Sequence, residues 1–203
     1  MCGIMGYEPM KANGNQMDAF RRLFEESCIR GLHAYGLADV DLCGNLRVHR
    51  SFSKHDIPSA FMPGRVTIAH ARYCQSGDWR VLENNQPIQV DDMALAMNGV
   101  IHMGTKAEYE AEFGVECTVD NDSEVFLQKL KQGVDAQEFI MGIHGSFAAT
   151  WLASGQLYAG RNARRPLWKC IQDDARWYAS TEDIFRRAGF VGAEPVAVGV
   201  ETQ

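Results

Sequence analysis

No apolar run in this chain approaches the ~20 residues that a helix needs to cross a bilayer, so no membrane partner is expected. The N-terminus lacks the basic and apolar regions of a secretory signal, and the expected location is cytoplasmic. The six cysteines, Cys2, Cys28, Cys43, Cys74, Cys117 and Cys170, form no C-x-x-C pair. No His/Cys cluster has zinc-ligand spacing, so no metal site is expected. A disulfide scaffold does not suit a chain of this size that is not exported. Positive charge is also short: the net charge is −6, which argues against nucleic acid as a direct partner. Internal repeats, low-complexity stretches and linkers are absent, so residues 1–203 are read as a single domain.

What is present starts at the second residue. The chain opens Met1-Cys2-Gly3-Ile4. If Met1 is removed, Cys2 carries a thiol and a free α-amine on one residue. The thiolate is the form that attacks a carbonyl carbon. An α-amine, with a pKa of about 7.7–8.0, holds enough free base near neutral pH to take the thiol proton. Activation of a nucleophile by a terminal amine is an established solution to weak nucleophilicity.

Hydrophobic periodicity sets out the elements. Residues 2–8 read as a strand, and 14–30 as a helix with Met17, Phe20, Leu23, Phe24 and Ile29 at three- to four-residue spacing. Gly31 reads as its C-cap. Residues 36–52 read as a hairpin around Gly44-Asn45, 53–64 as loop, 66–73 as a strand and 75–87 as a long loop. A strand at 93–100 precedes helices at 105–113, 122–132 and 135–142. Strands follow at 146–153, 156–160, 167–171 and 177–180, then a helix at 182–188 and a last strand at 194–200. Hairpins with helices grouped between them give an α+β reading, antiparallel sheets covered by helices.

Nine short motifs punctuate this order. After Met1-Cys2-Gly3-Ile4 come Arg30-Gly31-Leu32-His33-Ala34-Tyr35-Gly36, Ala69-His70-Ala71-Arg72-Tyr73 and Asn85-Gln86-Pro87. Then come Met97-Asn98-Gly99-Val100-Ile101, Asp122-Ser123-Glu124 and Gly145-Ser146-Phe147-Ala148. Arg161 with Arg165-Pro166-Leu167, and Ala179-Ser180-Thr181-Glu182, complete the series. In order and approximate spacing the series resembles the class II glutamine amidotransferases, the glutaminase domains of the N-terminal-nucleophile hydrolases. The likeness runs over roughly residues 2 to 185.

The resemblance implies a four-layer αββα sandwich of two antiparallel sheets. It implies hydrolysis of the side-chain amide of L-glutamine, through a Cys2 thioester, to glutamate and ammonia. Cys2, Asn98 and Gly99 are then the catalytic residues, the Asn98 amide and Gly99 N–H forming the oxyanion hole. Arg72 takes the substrate's α-carboxylate in a bidentate way that lysine cannot reproduce, and Asp122 takes the α-ammonium. Tyr73, Gln75 and Ser76 line the substrate, and Arg30 and His70 stand in support. No organic cofactor is implied. Relatives consume the ammonia on a second domain, so a free-standing chain implies a separate synthetase or transferase as partner.

Three places depart from the family's pattern. His33 stands where an acid is usual, Met97 where a histidine often precedes Asn-Gly, and Cys74-Gln75-Ser76-Gly77 where the flap usually carries Ser/Thr-Thr-x-Gly. His33 and His70 both invite an acid/base role, although a lone histidine is more often structural. Two rival readings accompany the main one: an amidohydrolase acting on another γ-glutamyl amide, and a non-catalytic assembly subunit.

Overall fold

The computed structural model describes residues 1–11 and 13–201. The strands are β1 (Gly3–Pro9), β2 (Ala34–Val40), β3 (Leu46–Ser51), β4 (Thr67–Arg72), β5 (Ile88–Val90) and β6 (Met93–Met97). They continue with β7 (Ala148–Ala153), β8 (Gln156–Arg161), β9 (Trp168–Gln172), β10 (Ala175–Ala179), β11 (Glu194–Pro195) and β12 (Gly199–Val200). The helices are α1 (Gln16–Cys28), α2 (Asp56–Ala60), α3 (Lys106–Phe113), α4 (Glu124–Lys131), α5 (Ala136–Gly142) and α6 (Glu182–Arg187).

Two antiparallel sheets stack face to face. The larger has seven strands in the order β11-β9-β10-β1-β4-β2-β3, and the smaller five in the order β12-β8-β7-β6-β5. Three apolar layers hold them. Phe20, Leu23 and Phe24 of α1 pack with Ile57 of α2 and Phe185 of α6 onto Tyr7, Leu37 and Trp177 of the larger sheet. Val125 and Phe126 of α4 and Ile140 of α5 pack onto Leu95 and Trp151 of the smaller one. Between the sheets lie Ile4, Ile68, Leu152 and Tyr178 among Ala38, Ala94, Ala96, Ala148 and Ala159. The α+β, αββα arrangement implied by the motifs is the one found.

The helix at 14–30 and the hairpin at 36–52 form where their patterns place them, the helix because Phe20, Leu23 and Phe24 share one buried face and the hairpin because its turn is tied locally. Asp41 ties the hairpin turn, its Oδ1 accepting from the N–H groups of Cys43 at 2.8 Å and Asn45 at 2.9 Å. Several expectations fail for physical reasons. The supposed loop at 53–64 contains α2, because Pro58 lies in its first turn, where a missing N–H costs nothing. The loop at 75–87 carries a 3₁₀ turn at Leu82–Asn84. β5 was not anticipated: three residues carry too little alternation to read. The strand at 93–100 stops at Met97, and Val100 makes only an isolated bridge to Ser146. The strand at 194–200 is two dipeptide strands, one pairing β9 and the other pairing β8 in the opposite sheet. Gly31 is not a C-cap, since α1 is capped by a right-handed Ile29. A Cβ on Gly31 would stand 2.2 Å from the Ala71 carbonyl oxygen, so close packing requires the glycine.

Candidate active site

Register brings the motifs together at one end of the sandwich. β1 pairs β4 with Gly3 opposite Ala71, so Cys2 falls beside Arg72 and Tyr73. β2 pairs β4 with Ala34 opposite Arg72, which places His33 beside the same residues. β6, from the other sheet, delivers Asn98 and Gly99 just beyond Met97.

Cys2 is buried. Its N–H donates to Asn98 Oδ1 at 3.2 Å, and its Sγ accepts from the Tyr73 N–H at 3.4 Å. The first bond fixes the Asn98 amide, because only its oxygen can accept. Asn98 Nδ2 is then buried with no hydrogen-bond partner among the described residues. A buried amide nitrogen left unpaired costs about 1–3 kcal/mol, so native proteins rarely tolerate one without a function. The Gly99 N–H likewise donates to no protein acceptor among the described residues. Gly99 is needed for a close approach to the protein itself: a Cβ there would stand 2.0 Å from the Ser146 carbonyl oxygen. Burial pushes the Cys2 thiol above the ordinary cysteine value, partly offset by the Tyr73 N–H, the terminal ammonium, Arg72 and Arg30.

The end of β6, just before Asn98, is held from both sides. Met97 N–H donates to Gln86 Oε1 at 2.5 Å, and Met97 O accepts from His70 Nε2 at 3.1 Å. His70 must therefore carry its proton on Nε2, and its Nδ1 is bare and unpartnered among the described residues. Burial, then the Arg72 charge, pull the His70 pKa down to about 3. His70 is a neutral donor that positions Asn98, with no capacity to act as an acid near neutral pH. Arg30 Nε donates to Cys2 O at 2.9 Å. Ser180 Oγ accepts from Ile4 N–H at 2.9 Å and donates to Cys2 O at 3.4 Å.

Arg72 is buried, and both of its terminal nitrogens are engaged. Nη1 donates to Asn84 O and to Asn85 Oδ1 at 2.7 Å; Nη2 donates to Ser76 O and lies 3.7 Å from Cys74 Sγ. The Asp122 carboxylate accepts from Ile101 N–H at 2.6 Å, His102 N–H at 3.2 Å and Ser76 Oγ at 3.0 Å. Ser123 holds the N-cap position of α4 without a side-chain capping bond, and the Asp122 carboxylate is spent on this network. Burial raises the Asp122 pKa, and the same three donors oppose the rise. Ser76 thus touches both Arg72 and Asp122. Beside it opens a cavity of about 560 Å³, lined by Gln75, Ser76, Val100, His102 and Lys106 among others. Tyr73 contributes its backbone to Cys2 while its ring stays about half exposed.

The sequence reading missed the structural parts of Asn84, Asn85, Gln86 and Ser180. The Asn85-Gln86-Pro87 and Ala179-Ser180 motifs were visible, but nothing in one strand of sequence shows that a distant amide holds Met97. Among the described residues no group of three or more His, Cys, Asp or Glu could hold a metal ion.

No protein-family model matches the chain. No curated protein matches it either. Solved structures do. A glutamine phosphoribosylpyrophosphate amidotransferase from B. subtilis, complexed with ADP and GMP, is similar at a TM-score of 0.73 and 19% identity, over 100% of this chain and 49% of that one. A structure described as the allosteric regulatory enzyme of purine biosynthesis is similar at 0.74 and 19%, over 100% of this chain and 48% of that one. A glutamine aminotransferase class-II domain protein from Silicibacter pomeroyi is similar at 0.52 and 12%, over 98% of this chain and 97% of that one. This chain spans about half the length of the first two. At these identities the likeness bears on the fold, and the fold is that of the glutamine amidotransferase structures.

Proposed function

We propose that the chain, once Met1 is removed, hydrolyses the side-chain amide of L-glutamine to glutamate and ammonia. The observation that carries this reading is the Asn98 amide, whose oxygen accepts from the Cys2 nitrogen and whose buried Nδ2 has no partner among the described residues. A nucleophile and a preorganised, unsatisfied donor on one amide are what an oxyanion intermediate requires.

The Cys2 α-amine takes the thiol proton, and Sγ forms a bond to the amide carbon. The carbonyl oxygen becomes an oxyanion facing Asn98 Nδ2 and the Gly99 N–H. The amine returns its proton to the departing nitrogen as the C–N bond breaks, releasing ammonia and leaving a γ-glutamyl thioester. Water then attacks the thioester, one of its protons passes through the amine to Sγ, and glutamate leaves. With Met1 in place the Cys2 nitrogen is an amide and has no basic lone pair. Arg72 and Asp122 are assigned to the substrate's α-carboxylate and α-ammonium, with Tyr73, Gln75 and Ser76 closing over it. Substrate must then displace Ser76, which occupies a donor of Arg72 and an oxygen of Asp122.

We assign the use of ammonia to a synthetase or transferase site outside these 203 residues. We assign the reaction to the cytoplasm, where reducing conditions keep a cysteine nucleophile free. No helix of the described residues is long and apolar enough to cross a membrane. The test is turnover. The Met1-free chain should release ammonia from glutamine, and Cys2→Ala should release none while folding normally. Turnover of γ-glutamyl amides with no turnover of glutamine would assign the site to the alternative amidohydrolase instead.

A further inference from the structure

His33 is the residue the proposed chemistry does not use, yet it touches the site at three points. Its backbone N–H donates to Arg72 O at 3.0 Å. Its side chain Nδ1 accepts from the Cys74 N–H at 2.9 Å. Its ring lies between two aromatic rings, stacked on Tyr73 at 5.0 Å and on Trp79 at 5.2 Å. Phe52 meets Trp79 edge-on at 6.0 Å.

These contacts have a shared consequence. Arg72 and Cys74 are both tied to His33, and the residue between them is Tyr73. Tyr73 presents its N–H to Cys2 Sγ and covers it. We propose that His33 is a positioning residue that clamps the Arg72–Cys74 backbone, and through it sets the Tyr73 N–H against the Cys2 sulfur. The clamp has a polar half, the Nδ1 acceptor, and an apolar half, the sandwich that runs to Trp79. Because Trp79 lies at the far end of the flap, the stack also spans residues 73–79 as a brace. An aspartate or glutamate here could take the Cys74 N–H but could not stack between two rings. The proposal rests on Cys2 being the nucleophile only for its effect on turnover; the clamp itself is a statement about the flap.

The test uses the full chain with Met1 removed and three variants. His33→Phe keeps the stack and loses the acceptor; His33→Asn keeps an acceptor in reach of the Cys74 N–H and loses the ring; His33→Ala loses both. Three readouts are taken: amide hydrogen exchange of residues 73–79, the rate of Cys2 alkylation by iodoacetamide, and kcat and KM for glutamine. The net worth of one such hydrogen bond predicts about a tenfold gain in Cys74 amide exchange for His33→Phe, and about a tenfold fall in Cys2 alkylation as the sulfur loses the Tyr73 N–H that favours its thiolate. His33→Asn should restore the Cys74 amide to near the parent rate, and exchange in His33→Ala should exceed both. kcat should fall about tenfold in His33→Phe with KM changed far less, since the Tyr73–Cys2 contact is what loosens. Exchange across β1 and β4 should be unchanged, which separates a local clamp from general unfolding. Parent-like exchange and alkylation in His33→Phe and His33→Ala would overturn the proposal. A parent chain with no turnover of glutamine would remove the glutaminase reading while exchange and alkylation still decide the clamp.

Discussion

At the scale of single residues, the site turns on which polar groups are satisfied and which are not. Asn98 uses its oxygen to hold the Cys2 nitrogen and leaves its Nδ2 buried with no partner among the described residues. Asn98→Asp keeps an acceptor for Cys2 and removes the donor, so it separates the two jobs. Both Asn98→Asp and Asn98→Ala should lower kcat by about 10²–10³, the usual loss of one oxyanion donor, with KM little changed in a steady-state assay. His70 also uses one polar atom, its Nε2–H on Met97 O, and its burial disfavours the charged ring. Its pKa falls from the ordinary 6.5 to about 3 through burial and the Arg72 charge. Between those values the unfolded chain carries the proton and the folded chain does not, so stability rises with pH. The His70 contribution is complete above about pH 6.5 and declines by up to ~1.4 kcal/mol per pH unit toward the lower value. His70→Gln can still donate to Met97 O but has nothing to titrate. Urea unfolding at pH 7 and pH 4.5 should show a smaller loss of stability for His70→Gln than for the parent. An equal loss would show that His70 is not buried as a neutral group.

At the scale of elements, much was legible and the failures have identifiable causes. α1 was readable because Phe20, Leu23 and Phe24 repeat at helical spacing over a long segment, and the β2–β3 hairpin because its turn residues are diagnostic. α2 was hidden by Pro58, which reads as a breaker yet is harmless in a first turn. β5 was hidden because three residues hold no period, and β11 and β12 were read as one strand at 194–200 because the break between two dipeptide strands is decided by partners far away in sequence. Cys2, Asn98 and Arg72 were legible as motif positions; their supports Gln86, Asn84 and Ser180 act across the fold, beyond the reach of local pattern. Glycines show the same division. Gly31 looked like a helix end, but its role is to let the chain after α1 pass so close to β4 that an added Cβ would stand 2.2 Å from Ala71 O. Gly31→Ala should cost about 1–3 kcal/mol, as overpacking does. Gly14→Ala, at a position with nothing within 4 Å of the added Cβ, should be close to neutral. Chemical denaturation of the two variants checks the pair; similar losses in both would contradict the packing argument.

At the scale of the whole molecule, the two stacked sheets are what make one site from distant pieces. The larger sheet supplies Cys2 and Arg72 from adjacent strands, and the smaller supplies Asn98 and Gly99 from the end of β6. Residues 72–79 and 84–86 join them, with Ser76 bonded to Asp122 and Gln86 to Met97. Covalent labelling tests this assembly most directly, because it asks for nucleophile, oxyanion donors and amino-acid recognition at once. The Met1-free chain should be incubated with a diazoketone analogue of glutamine and analysed by intact and peptide mass spectrometry. The account expects one equivalent of label, on Cys2, slowed by excess glutamine and absent from Cys2→Ala. Label on Cys74 that persists in Cys2→Ala, or no glutamine-protected label on Cys2, would contradict it.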